Sequence, residues 1–119
     1  YDALFSGRIG KVGRTRDRSS VFAQYTVVLD ERERLQAVLH GAGIPTAVHY
    51  PVPMHMQPAY SAYTSPDACP VALDMAGKVM SLPMGPYLDP AAATHVAATL
   101  LAAMGEPMPS RGDLLASSP

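Results

Sequence analysis

Gly43-Ile44-Pro45-Thr46-Ala47-Val48-His49-Tyr50-Pro51-Val52-Pro53-Met54-His55-Met56-Gln57-Pro58-Ala59-Tyr60 sets a histidine and a tyrosine side by side at the end of a short apolar run. Thr46–Tyr50 reads as a short strand, and Pro51 and Pro53, which cannot donate to a ladder, halt it. Neighbouring strand residues point to opposite faces, so His49 and Tyr50 enter one site only if the strand ends there. An imidazole and a phenol can each donate or accept a hydrogen bond, which suits sugar hydroxyls or a carboxylate. The plainer reading is a satisfied strand-edge histidine beside a packed tyrosine. His55, Gln57 and Tyr60 follow on a loop held by Pro51, Pro53 and Pro58. Polar groups on a stiff loop lose less entropy on binding, although an ordinary exposed loop has the same composition. His49 and His55 lack H-x-x-x-H spacing, and no carboxylate lies between Glu33 and Asp67. No metal site is expected.

Working outward, Val21, Ala23, Tyr25, Val27 and Leu29 alternate with Gln24 and Thr26, which predicts a strand over 21–29. Asp30 followed by Glu33 has capping-box spacing for a helix over about 31–41 that buries Leu35, Val38 and Leu39. Gly41 or Gly43 can supply its left-handed end. Val71, Met75 and Val79 at i, i+4 and i+8 predict a helix from Pro70 to about Met80, weakened by Gly77. Met80–Met84 reads as extended, and Asp89-Pro90 opens a helix over about 90–104 that buries Val96, Leu100 and Met104. Residues 105–119 have no period and are expected to be disordered. Residues 6–19 hold five of the nine cationic side chains and three glycines, a pattern that favours a solvated loop over a phosphate cradle. The order β-α-β-α-β-α gives an α/β domain, its helices packed on a short mixed or antiparallel sheet.

A chain of 119 residues supports one domain with a modest core. Its net charge of −1 argues against nucleic-acid binding, and no apolar run is long enough for a membrane span. The single Cys69 excludes an internal disulfide and suits a reducing cytoplasm. Ser6 and Ser81 lack a nucleophile motif, and Arg111-Gly112-Asp113 reads as coincidence in the tail. Tyr1–Phe5 reads as the end of an element already under way, so the chain is expected to be a fragment.

Three blocks carry a resemblance: Ser20–Val27, Gly43–Tyr60, and Val79-Met80-Ser81-Leu82-Pro83-Met84-Gly85-Pro86-Tyr87-Leu88. In order and content, residues 1–104 resemble the small C-terminal domain of the DegT/DnrJ/EryC1/StrS family of pyridoxal-phosphate-dependent sugar aminotransferases. The resemblance implies the small domain of a fold-type I aminotransferase over 1–104, followed by a tail over 105–119. It also implies transfer of an amino group, from L-glutamate as donor, to a nucleotide-linked keto-sugar. Such sugars include the 3-keto hexuronic acids used for bacterial surface polysaccharides. A homodimer is implied for the intact cytoplasmic enzyme. His49 and Tyr50 match the family pair that lines the sugar pocket, with His55 and Gln57 at its rim. Leu73 stands where many relatives carry Glu, and Gly85 where many carry His. Family members hold pyridoxal phosphate on a lysine of the large domain, whereas Lys11 and Lys78 lie in surface-like contexts. The chain alone is therefore expected to be inactive, with no catalytic residue of its own. A sugar dehydratase of the same superfamily, or a non-catalytic sugar-binding domain, are the competing readings.

Overall fold

The computed structural model describes residues 1–13, 15–110 and 112. A short helix α1 (Asp2–Phe5) leads into β1 (Gly10–Lys11), β2 (Tyr25–Val28) and α2 (Arg32–Gly41). Three single 3₁₀ turns, at Met54–Met56, Pro58–Tyr60 and Pro66–Ala68, then precede α3 (Pro70–Lys78), β3 (Val79–Leu82) and α4 (Pro90–Met104). The sheet is antiparallel with order β1-β2-β3, and the fold is α/β.

Register decides which face is buried. Tyr25 pairs with Leu82 and Val27 with Met80, so all four side chains share the core face. Thr26 pairs with Ser81 on the opposite face, where their hydroxyl oxygens lie 3.1 Å apart. Helix α4 closes the core with Val96, Ala97, Leu100 and Leu101, while α2 adds Leu35 and Leu39. Phe5, Ile9, Leu29 and Ile44 complete the cluster. Asp89 starts α4 as the sequence predicts: its Oδ1 accepts from the Ala91 N–H at 2.8 Å, Pro90 follows at the first helical position, and Gly105 ends it at φ 77°.

Several expectations need correction. The first strand begins at Tyr25, not Val21: Val21 is exposed, and Phe22 sits at φ 47°, which breaks the alternation. Beyond the Tyr25–Leu82 pair the next partner would be Pro83, which has no N–H to offer. Thr46–Tyr50 forms no strand but one bridge, with Ala47 and Ser81 exchanging both backbone hydrogen bonds. Extending that register would bring Pro45 opposite Pro83, two residues without donors. Asp30 does not cap α2. Glu31 occupies that position without a side-chain cap, and its carboxylate accepts from Arg34 instead. The Arg34 hydrogen bond holds the Glu31 carboxyl below its ordinary range.

Val38 is exposed while Leu35 and Leu39 are buried, because α2 presents one narrow seam to α4. Val71 is likewise exposed, Ala76 is the buried residue of α3, and Val79 already belongs to β3. The expectation of disorder over 105–119 falls largely on residues outside the described ones. Of the described residues, Gly105 closes α4 and Pro109 is buried.

The start of the chain is tied across the fold. The Tyr1 hydroxyl donates to the Pro83 carbonyl at 2.9 Å, and its ring packs on Phe5 and Tyr25. Burial pushes the Tyr1 phenol up to about 12. An unfolded tyrosine ionises near ~10, so the folded state holds this proton more tightly. The associated stability is complete below about pH 10 and is lost as pH rises toward 12. An ultraviolet phenolate titration of the folded chain should show one of the six tyrosines ionising last, and Tyr1→Phe should remove that late step. A single step for all six near the ordinary value would refute the burial effect.

Candidate functional site

The His-Tyr stretch leaves the sheet immediately after the Ala47 bridge, which places the pair at the mouth of a cleft. His49 is exposed and Tyr50 is 75% exposed, with ring centroids 5.8 Å apart and nearly perpendicular. The cleft, about 660 Å³, is lined by His49, Tyr50 and Gln57 against an apolar wall that includes Val52, Met54 and Met75. Met54 and Met56 are both exposed, and Val48 is half-buried. An apolar wall with a few polar groups at one rim can orient a polar ligand while excluding water from its less polar side.

The loop's two remaining candidates hold it in shape. His55 does not line the cleft; its Nε2 lies 3.1 Å from the Pro66 carbonyl, a contact in which the ring nitrogen donates. Gln57 reaches the cleft, but its Nε2 donates to the Val52 carbonyl at 3.3 Å. These bonds fasten the 3₁₀ turns to one another, so His49 and Tyr50 stand on a braced loop.

His49 also borders a second hollow of about 280 Å³, lined by Gln24, Thr46, Ala47, Ser81, Leu82 and Met84, among others. Gln24, a residue the sequence treats only as the outward face of a strand, thus comes to the same place as His49. Its signal was the alternation that sets Gln24 and Thr26 away from the core. At the other side of Gln24 lies a hollow of about 420 Å³ that takes in Lys11, Arg18 and Phe22. Lys11 there is bound to Asp2 at 2.7 Å, and the residues around it form an open loop and the short β1 rather than a phosphate cradle.

The lysines do not fit a covalent cofactor site. Lys78 lies 2.9 Å from Asp74 and 3.5 Å from Asp30, and the Asp74 hydrogen bond holds its ammonium above the ordinary range. A lysine that forms an imine needs the free amine, which these carboxylates oppose. Lys11 is paired with Asp2. Among the described residues no cluster of His, Cys, Asp and Glu could hold a metal ion, and no helix is long and apolar enough to cross a membrane.

A three-stranded antiparallel sheet backed by helices, with a His-Tyr pair at the rim of a braced apolar cleft, defines a small α/β domain built around a binding surface. The chain belongs to the DegT/DnrJ/EryC1/StrS aminotransferase family, whose model matches residues 1–101. It is 52% identical over 81 residues to the UDP-2-acetamido-2-deoxy-3-oxo-D-glucuronate aminotransferase of Pseudomonas aeruginosa, a match that covers 68% of this chain and 22% of that protein. It is 44% identical over 84 residues to the erythromycin biosynthesis sensory transduction protein EryC1 of Saccharopolyspora erythraea, covering 70% of this chain and 23% of that protein. The chain therefore spans less than a quarter of these relatives' length. A DegT/DnrJ/EryC1/StrS aminotransferase from Brucella abortus shares the fold, with a TM-score of 0.80 at 28% identity over 88% of this chain and 28% of that structure. The S. venezuelae DesV structure, in complex with a ketimine intermediate, gives a TM-score of 0.73 at 36% identity over 77% of this chain and 25% of that one.

Proposed function

We propose that residues 1–104 are the small C-terminal domain of a pyridoxal-phosphate-dependent nucleotide-sugar aminotransferase, with 105–119 a tail beyond the Gly105 cap. The observation that carries this reading is the exposed His49-Tyr50 pair at the rim of the 660 Å³ cleft, in a chain of this family. Sugar-nucleotide transaminases among the relatives support the substrate class, a keto-sugar linked to a nucleotide. His49 and Tyr50 hold hydroxyl or carboxylate groups of that sugar, and Gln57 borders them from the loop. His55 serves the rim by bracing it. The donor is L-glutamate, and the product feeds a surface polysaccharide or related glycan. The intact enzyme is a cytoplasmic homodimer.

Bound pyridoxal phosphate supplies the electron sink for amino transfer, and neither lysine of this chain suits it. The chain alone therefore does not transaminate. The test is an absorbance spectrum of the full-length protein with pyridoxal phosphate, before and after L-glutamate. A visible cofactor band that shifts on glutamate is the expected result. A band that ignores glutamate would favour a dehydratase, and no band would favour a non-catalytic sugar-binding domain.

A further inference from the structure

Polar side chains around His49 differ in whether their hydrogen-bonding capacity is already spent. Thr46 is engaged by Gln36 and His40, and Ser81 by Thr26. Gln57 and His55 bind their own loop. Gln24 and His49 both border the 280 Å³ hollow, and neither side chain is committed to a hydrogen bond within the fold. Gln24 is exposed on the segment just before β2, where Phe22 at φ 47° turns the chain and the core begins only at Tyr25.

The lining of this hollow has a chemical bias. It holds Gln24, Thr46, His49 and Ser81 among apolar residues, and neither Asp nor Glu is among the described residues that form it. A pocket built to take sugar hydroxyls gains from a carboxylate that accepts their protons. One that offers an amide and an imidazole without any acid suits an acceptor-rich group, and it presents no negative charge to repel an anion. We infer that Gln24 is a specificity-determining residue that, together with His49, receives a carboxylate carried by the sugar. Gln24 donates through its Nε2 amide, and the substrate is a nucleotide-linked hexuronate rather than a neutral hexose. This rests on the reading of the chain as part of a nucleotide-sugar enzyme and narrows its substrate class.

The experiment compares binding of UDP-glucuronate and UDP-glucose, which differ by one carboxylate, to the full-length protein and to Gln24→Ala and Gln24→Glu variants. Gln24 is exposed and outside the core, so both variants should fold, and unchanged thermal unfolding checks this. Native protein should prefer the glucuronate. Gln24→Ala should weaken glucuronate roughly tenfold, the loss of one hydrogen bond to a charged acceptor, and leave UDP-glucose unchanged. Gln24→Glu should weaken glucuronate further by like-charge repulsion. Equal binding of both sugars, unaltered by either variant, would overturn the role of Gln24 and leave the nucleotide-sugar reading standing. Failure of both sugars to bind the native protein would overturn the two together. An equal loss for both sugars in the variants would show that Gln24 supports the cleft rather than reads the carboxylate.

Discussion

Leu100→Ala should lower the unfolding free energy by about 2–5 kcal/mol, because it removes a fully buried side chain and leaves a cavity between packed helices. A domain of this size has about 5–15 kcal/mol in total, so the change consumes a large share of it. The expected drop in melting temperature is roughly 10 °C or more. The informative comparison is Val38→Ala, which removes methyl groups from the same helical layer. Val38 is 41% exposed, and its truncation should cost no more than about 0.5 kcal/mol. Denaturant unfolding of the two variants measures both. Equal losses would return Val38 to the seam that sequence periodicity assigns to it.

The second expectation concerns chemistry. In the full-length enzyme, His49→Ala should slow amination of the nucleotide keto-sugar by roughly 10- to 100-fold, the range for losing one or two hydrogen bonds to a bound ligand. Uptake of the amino group from L-glutamate should keep its rate, since glutamate carries no sugar for His49 to hold. Single-turnover measurements of the two halves separate these effects. Equal slowing of both would assign His49 to the fold or the cofactor. Tyr50→Phe should give a smaller loss, because it keeps the ring that packs near His49 and removes only the hydroxyl.

Much of this architecture was legible because it rests on local rules. Asp89-Pro90 opens α4 through a side-chain acceptor and a preset φ, both written in two adjacent residues. The antiparallel sheet, the α2 seam at Leu35 and Leu39, and the extended Met80–Leu82 segment followed from period and length. The misses share a cause: each depended on what lay opposite in space. The strand over 21–29 and the strand over 46–50 were both cut short at Pro83, a residue distant in sequence from each. The capping box at Asp30 failed because Arg34 took the Glu31 carboxylate and Lys78 lies close to Asp30. At the site, His49 and Tyr50 were readable as a pair. That His55 and Gln57 spend hydrogen bonds on the backbone of their own loop was not, since the carbonyls of Pro66 and Val52 carry no residue-type signature. Gln24 escaped notice because its alternation marks only which way it faces, and the segment that completes its hollow, Pro45–His49, comes from beyond an intervening helix.

The late position of α4 has a consequence for biosynthesis. Val96, Ala97, Leu100 and Leu101 seal a core whose other members, from Phe5 to Leu82, are all translated earlier. While the ribosome is still making residues before Pro90, the inner faces of β2, β3 and α2 have no lid and remain sticky to any neighbour. Tyr1, meanwhile, must wait for Pro83 to accept its hydroxyl. The domain thus cannot mature piece by piece as it emerges. Its nascent chain depends on chaperones or on other polypeptide surfaces for cover until the final helix clears the exit tunnel, and messages truncated just short of that helix would yield aggregates rather than a smaller version of the fold.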